Sequence, residues 1–116
     1  MFKVAAPSEV QTYPWPVSVA LPGENNVTTT QKFKLVFKRM SQTELDEIHE
    51  QLKEKELTDR GLCLRVTAGW EDVADAHGNA LDFNDENFGA LLDMYPTQPS
   101  VVTAFYDSIK GSKRKN

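Results

Sequence analysis

The sequence predicts an α+β fold, in which an N-terminal antiparallel β-hairpin or small sheet is followed by three to four packed helices. Apolar and polar residues alternate with a period of two in the first third of the chain, whereas from Ser41 onward apolar residues recur at helical spacing. The chain has 116 residues, enough for one hydrophobic core and too few for two. We expect a single domain over residues 1–111 and a flexible basic tail over residues 112–116.

Two segments predict the strands of the hairpin. Apolar residues alternate with small residues over 17–21, and aromatic or aliphatic residues alternate with lysines over 32–38. The turn-forming residues 22–26 lie between them and can reverse the chain. Residues 2–5 predict a short edge strand, and three prolines between positions 7 and 16 indicate that the intervening segment is irregular or lies at a sheet edge.

Two helices are predicted in the middle of the chain. Ser41 and Glu44 form a capping box at the start of the first, whose apolar residues occupy one face until it ends near residue 56. Thr58 has the features of a second N-cap. The apolar spacing after Thr58 predicts a helix over about residues 59–70.

The last part of the chain predicts a turn and two further helices. Gly78 and the asparagine that follows it indicate a tight, hairpin-like connection. Asn84 predicts the N-cap of a helix that Pro96 ends, and a last helix is predicted from about Pro99 to Gly111. The residues expected to be buried by these two helices are Phe88, Leu91, Leu92, Tyr95, Val101, Val102, Phe105 and Ile109.

Composition excludes several classes of protein. No apolar run approaches the roughly 20 residues that cross a bilayer, and the first residues lack the apolar core of a secretion signal. Cys63 is the only cysteine, so no intramolecular disulfide can form, and its apolar neighbours favour a core position. We expect a soluble, cytoplasmic protein that has no contact with membranes.

The chain carries no recognisable catalytic or metal-binding motif. His49 lies on a charged helix face without a second histidine at ligand spacing, and His77 lies in a predicted turn. The turn at Gly78 resembles part of a calcium loop, but in that register Val73 and Asn84 replace the first and last ligands. We therefore expect no catalytic residues, no cofactor and no metal, and a protein that is not an enzyme.

Charge is unevenly distributed along the chain. Residues 71–93 contain seven acids and no lysine or arginine, although the whole chain has a net charge of only −4. The candidate partner-binding residues are in or beside this stretch: Trp70, Glu71, Asp72, Asp75 and Phe88. Two simpler interpretations stay open, since an acidic stretch can be a solvated face and a tryptophan in a small domain can be a core anchor.

Several features, in this order, resemble the tail assembly chaperones of long-tailed bacteriophages and prophages. They span about residues 27–116 and comprise Thr28–Thr30, Phe33–Arg39, Gly69–Val73, Asp75, Gly78, Leu81–Phe83, Glu86–Asn87, Ala104–Tyr106 and Lys113–Asn116. The resemblance implies a protein that binds the tape measure protein in the host cytoplasm, keeps it soluble and helps recruit tail tube proteins. It also implies possible self-association and absence from the mature virion.

The resemblance further implies that a longer product can arise by ribosomal frameshifting near the end of the reading frame. Lys115 and Asn116 are compatible with a slippery heptamer at that point. An alternative function is a small phage or bacterial regulatory protein whose basic tail touches nucleic acid. The acidic net charge argues against general nucleic-acid binding, because phosphate contacts need a basic face.

Overall fold

Three antiparallel strands and four α-helices form the part of the chain that the computed structural model describes, residues 1–6 and 9–110. The predicted α+β class is confirmed. In chain order the elements are β1 (Thr12–Pro22), β2 (Thr28–Lys38), α1 (Gln42–Lys53), α2 (Asp59–Val66), β3 (Thr67–Glu71), α3 (Asp85–Leu92) and α4 (Thr97–Lys110). The strands follow the spatial order β1-β2-β3, so β2 is the central strand. The predicted tail, residues 112–116, and Gly111 lie outside the described residues.

The predicted hairpin is confirmed. Strands β1 and β2 pair without interruption from Thr12 opposite Lys38 to Pro22 opposite Thr28. A short 3₁₀ turn over Glu24–Asn26 connects them, and its two asparagines have φ values of 58° and 63°. Asparagine tolerates this left-handed conformation better than other residues with a Cβ, which explains the turn sequence.

The predicted edge strand over residues 2–5 is wrong. This segment forms no strand, and the Phe2 side chain is 91% exposed. On the outer edge of β1, the nearest sheet edge in sequence, Pro14 and Pro16 have no N–H to donate to a further strand. Pro14 and Pro16 do lie on an edge strand, as predicted, whereas Pro7 is outside the described residues.

The hydrophobic core lies between the inner face of the sheet and the helices. Helix α4 packs against β1 and α2, and its Phe105 ring meets the Phe37 ring edge-on at 5.4 Å between centroids. Both rings are fully buried, as is Ile48 of α1. The other buried apolar residues of this core are Val17, Val19, Phe33, Leu35, Leu62, Cys63, Val66, Phe88, Leu92, Val101 and Ala104.

The predicted helix caps are confirmed. Ser41 Oγ accepts the Glu44 N–H at 3.0 Å, and Glu44 Oε1 accepts the Ser41 N–H at 2.9 Å. The hydrogen bond from the Ser41 N–H is the main reason why the pKa of the Glu44 carboxyl is lowered. Thr58 Oγ1 accepts the Gly61 N–H at 3.0 Å in the same way.

The predicted helix over residues 59–70 is wrong in its second half. Helix α2 ends at Val66, and the chain continues directly as β3, which pairs with the edge of β2 from Lys34 to Phe37. The helical spacing of apolar residues corresponds to a helix only as far as Val66. The unpaired backbone edge of β2 supplies hydrogen bonds that a further helical turn could not make, so tertiary pairing overrides local preference.

Smaller differences concern the ends of the last helices. Tyr95, predicted to be buried, is 80% exposed. Helix α3 ends at Leu92, so Tyr95 does not lie on the inward face of that helix. Ile109 is also exposed, at the last turn of α4. Helix α1 ends at Lys53, slightly before the predicted position.

Cys63 generates a testable prediction. Its side chain is 1% exposed, and burial raises the pKa of the thiol from 9.0 to about 12. Because the pKa is higher in the folded protein, this contribution to stability is complete below about pH 9 and declines as the pH rises towards 12. A thiol reagent at pH 8 should label the native protein slowly and the urea-unfolded protein rapidly. Equal labelling rates would contradict the buried position.

Candidate partner-binding surface

Trp70 connects the sheet to the acidic segment of the chain. It lies on β3 opposite Leu35, on the inner face, and is half-buried. Its indole Nε1–H donates a hydrogen bond of 2.8 Å to the Leu81 carbonyl oxygen. Its ring also meets the Phe83 ring edge-on at 5.2 Å and the Phe88 ring at 6.1 Å. Trp70 therefore holds residues 81–88 against the end of β3, in addition to any role in binding.

The acidic residues after Trp70 point into solvent. Glu71 and Asp72 are exposed at the end of β3, and Asp72 has a φ of 65°. This left-handed conformation ends the strand and turns the chain away from β2. Across the Trp70 contact, three further acids are also exposed, one before α3 and two in its first turn. We call the five residues the acidic face: Glu71, Asp72, Asp82, Asp85 and Glu86.

Asp75 has a structural task in the turn that follows. Its Oδ1 accepts the backbone N–H groups of His77 and Asn79 at 2.9 and 3.0 Å. Gly78 has a φ of 84° in this turn, and Ala74 and Ala80 form a β-bridge beneath it. The predicted hairpin-like connection is confirmed. One oxygen of the half-buried Asp75 carboxylate is therefore already hydrogen-bonded to backbone N–H groups of its own turn.

Phe88 lies beneath the predicted surface. Its side chain is 2% exposed, and it contacts Trp70 and Phe83. A partner could not reach this ring in the described conformation, so Phe88 supports the surface from below. The structure thus brings Glu71 and Asp72 to the surface, places Trp70 and Asp75 at its margin, and buries Phe88.

Three exposed acids of this face are not among the candidate residues predicted from the sequence: Asp82, Asp85 and Glu86. The signal that could have identified them is the same run of seven acids over residues 71–93. Among the described residues, Asp93 is the only member of that run with an ion pair, to Arg60 at 3.8 Å. The five carboxylates of the acidic face form no ion pair with a described lysine or arginine, although Glu71 lies opposite Lys34 in the sheet.

An apolar cleft begins where the acidic face ends. Val73, next to Asp72, lines one side of a cleft of about 400 Å³ that opens between the hairpin and α3. Met94 contributes to the cleft and is 50% exposed. The other apolar residues that line it are Val19, Leu21, Phe33, Ala74, Ala76 and Leu91. Lys32 and Asp75 also line the cleft, so its lining is mostly apolar with two charged side chains.

Two kinds of feature are absent from residues 1–6 and 9–110. No three or more His, Cys, Asp or Glu side chains come together there in a group that could hold a metal ion. No helix in this part of the chain is both long enough and apolar enough to span a membrane. Of the two histidines, His77 lies in the turn described above, and exposed His49 stacks on Tyr106 at 5.9 Å.

The described residues thus combine a small α+β fold with an apolar cleft beside an acidic face. A comparison with protein-family models matches residues 4–116 to the phage tail assembly chaperone family. Since the match covers almost the whole chain, the chain belongs to this family, and the resemblance predicted from the sequence is confirmed. Family membership supports a role as a chaperone in phage tail assembly. No curated protein and no solved structure matches the chain.

The position of Trp70 predicts the cost of removing it. Trp70→Ala should lower the free energy of unfolding by about 3–5 kcal/mol, because it removes the ring contacts and the hydrogen bond to Leu81. Trp70→Phe keeps a ring and should cost clearly less, about 1–3 kcal/mol. Urea unfolding of both variants measures the difference. An alanine variant as stable as the wild type would show that Trp70 has no structural role.

Proposed function

We propose that this chain binds the tape measure protein in the host cytoplasm, keeps it soluble and helps recruit tail tube subunits during tail assembly. It acts by binding, without catalysis, and is absent from the finished virion. The observation that carries this proposal is the apolar cleft adjoining the acidic face, in a chain of the tail assembly chaperone family.

The two parts of the surface have different physical tasks. The cleft provides apolar surface for side chains from one face of an amphipathic helix, the usual recognition mode for helical partners. Its volume of about 400 Å³ fits a few such side chains, so affinity for a long partner would come from many copies bound along it. Apolar surface of the partner that is covered by these copies cannot associate with other partner molecules, so aggregation is reduced.

The acidic face contributes in two ways. Carboxylates at the rim favour partner segments with lysine or arginine beside their apolar residues and exclude acidic ones. They also leave the complex with a negative surface, which opposes association between complexes. The alternative of a regulatory protein with a nucleic-acid-touching tail draws no support from the described residues, since its tail lies outside them.

Neutralising the acidic face tests the proposal. A triple variant, Glu71→Gln, Asp72→Asn and Asp82→Asn, removes three exposed charges and keeps Asp75, whose carboxylate builds the turn. Asn at position 72 retains the preference for positive φ. Co-expressed with the tape measure protein, this variant should bind roughly tenfold more weakly at moderate salt, with little change in thermal stability.

A matched control is available on α1 and the loop after it. Glu50→Gln, Glu54→Gln and Glu56→Gln remove the same number of exposed charges far from the cleft in sequence. This control should bind and solubilise the tape measure protein like the wild type. The proposal fails if both triple variants lose binding equally, or if neither does.

A further inference from the structure

The central strand β2 extends beyond its partner β3. Strand β3 pairs only with the segment from Lys34 to Phe37, whereas β2 begins at Thr28. The left-handed Asp72 turns the chain away at the end of β3, so the pairing does not continue. The segment 28–33 therefore has β1 on one side and no described strand on the other.

The hydrogen-bond pattern shows which backbone groups face this free edge. At both ends of the hairpin, odd-numbered partners are bonded: the Arg39 N–H donates to the Gln11 carbonyl at 2.8 Å, and the Gly23 N–H to the Val27 carbonyl at 2.6 Å. The same register runs between them. Hydrogen-bonded and non-bonded pairs alternate in antiparallel strands, so the even-numbered residues direct their backbone groups away from β1. These residues are Thr28, Thr30 and Lys32.

The other edge of the sheet is protected, whereas this one is not. On β1 the outward positions are also even-numbered, and Pro14, Pro16 and Pro22 occupy three of them. Proline removes the N–H that an added strand would need, a common protection of edge strands. Thr28, Thr30 and Lys32 are exposed and keep their N–H groups. Within the described residues, their backbones receive no bond from another strand or loop.

The surroundings of this edge define what it would accept. The apolar cleft lies beside it, with Phe33 on one wall and Val73 and Leu91 opposite. An added strand would direct alternate side chains to this inner side, where apolar residues would be buried. The intervening side chains would lie on the outer face, where Lys32 is exposed. An acidic residue opposite Lys32 would form a cross-strand charge pair, as Glu71 of β3 is placed to do opposite Lys34.

We propose that the edge of β2 at Thr28, Thr30 and Lys32 binds an extended segment of a partner protein in which apolar and acidic residues alternate. The segment adds a strand to the sheet, so backbone hydrogen bonds give affinity and the cleft and Lys32 give specificity. This site shares the apolar cleft with the surface of the proposed function, but it uses the backbone of β2 instead of the acidic face and does not rest on that function. The exposed residues 2–4 of a second copy fit less well, because Lys3 would lie on the side of Lys32, between Phe2 and Val4.

The probe is a fluorescent, end-capped peptide of alternating valine and glutamate, compared with one of alternating valine and lysine. The wild type should bind the valine–glutamate peptide more tightly. In NMR spectra of the labelled protein, the amide signals of Thr28, Thr30 and Lys32 should shift. Shifts confined to other parts of the chain, or equal affinity for both peptides, would overturn the proposal.

Matched proline variants separate the edge from the fold. Thr30→Pro removes one outward N–H from β2, and Ser18→Pro removes one from the already protected edge of β1. Thr30→Pro should weaken peptide binding by at least about tenfold, and Ser18→Pro should leave it unchanged. Unchanged binding by Thr30→Pro, measured on a folded variant, would overturn the proposal.

A charge reversal keeps the test decisive if Thr30→Pro fails to fold. Lys32→Glu changes an exposed side chain and should invert the preference between the two peptides. An unchanged preference would overturn the proposed role of Lys32. Sedimentation without peptide tests the other occupant, and self-association that Thr30→Pro abolishes would assign the edge to a second copy instead.

Discussion

The inner face of β2 is the constraint on which the other elements depend. Leu35 is fully buried between Trp15 of β1 and Trp70 of β3, its two cross-strand partners. Phe37, one step along the same face, contacts Tyr13 of β1 and Phe105 of α4. Because β2 alone among the described strands has a neighbour on each side, these residues join the sheet to the helices. Loss of this face would leave the hairpin without a core, and a lone hairpin is at best marginally stable.

Trp70 transmits this arrangement to the surface. Its ring packs on the inner face, while its indole N–H and its contact with Phe83 hold the segment before α3. The acids on both sides of that contact are therefore positioned by the core, although they are exposed themselves. Lys32 and Lys34 lie on the outer face of the sheet, where Glu71 of the acidic face is the cross-strand neighbour of Lys34.

The candidate site could be predicted from the sequence only in part. The run of acids after Trp70 is visible in the sequence, because charge composition needs no tertiary information. The burial of Phe88 is not visible in the sequence, and neither are the hydrogen bonds that the Asp75 carboxylate accepts in its turn. Each depends on a neighbour that folding brings close. The free edge of β2 is hidden for the same reason. Its extent follows from where β3 stops, and Asp72 sets that point.

The sequence by itself determined the hairpin, its turn and the starts of α1, α2 and α3, since alternation and capping depend on residues a few positions apart. The tertiary structure alone decided that residues 67–71 form a strand and that residues 2–5 do not. Both outcomes depend on a sheet edge elsewhere in the chain. The edge of β2 offers N–H and C=O groups to β3, whereas the prolines of β1 withhold N–H donors from the N-terminal segment. Backbone pairing across the fold, rather than local preference, settles the conformation of such short segments.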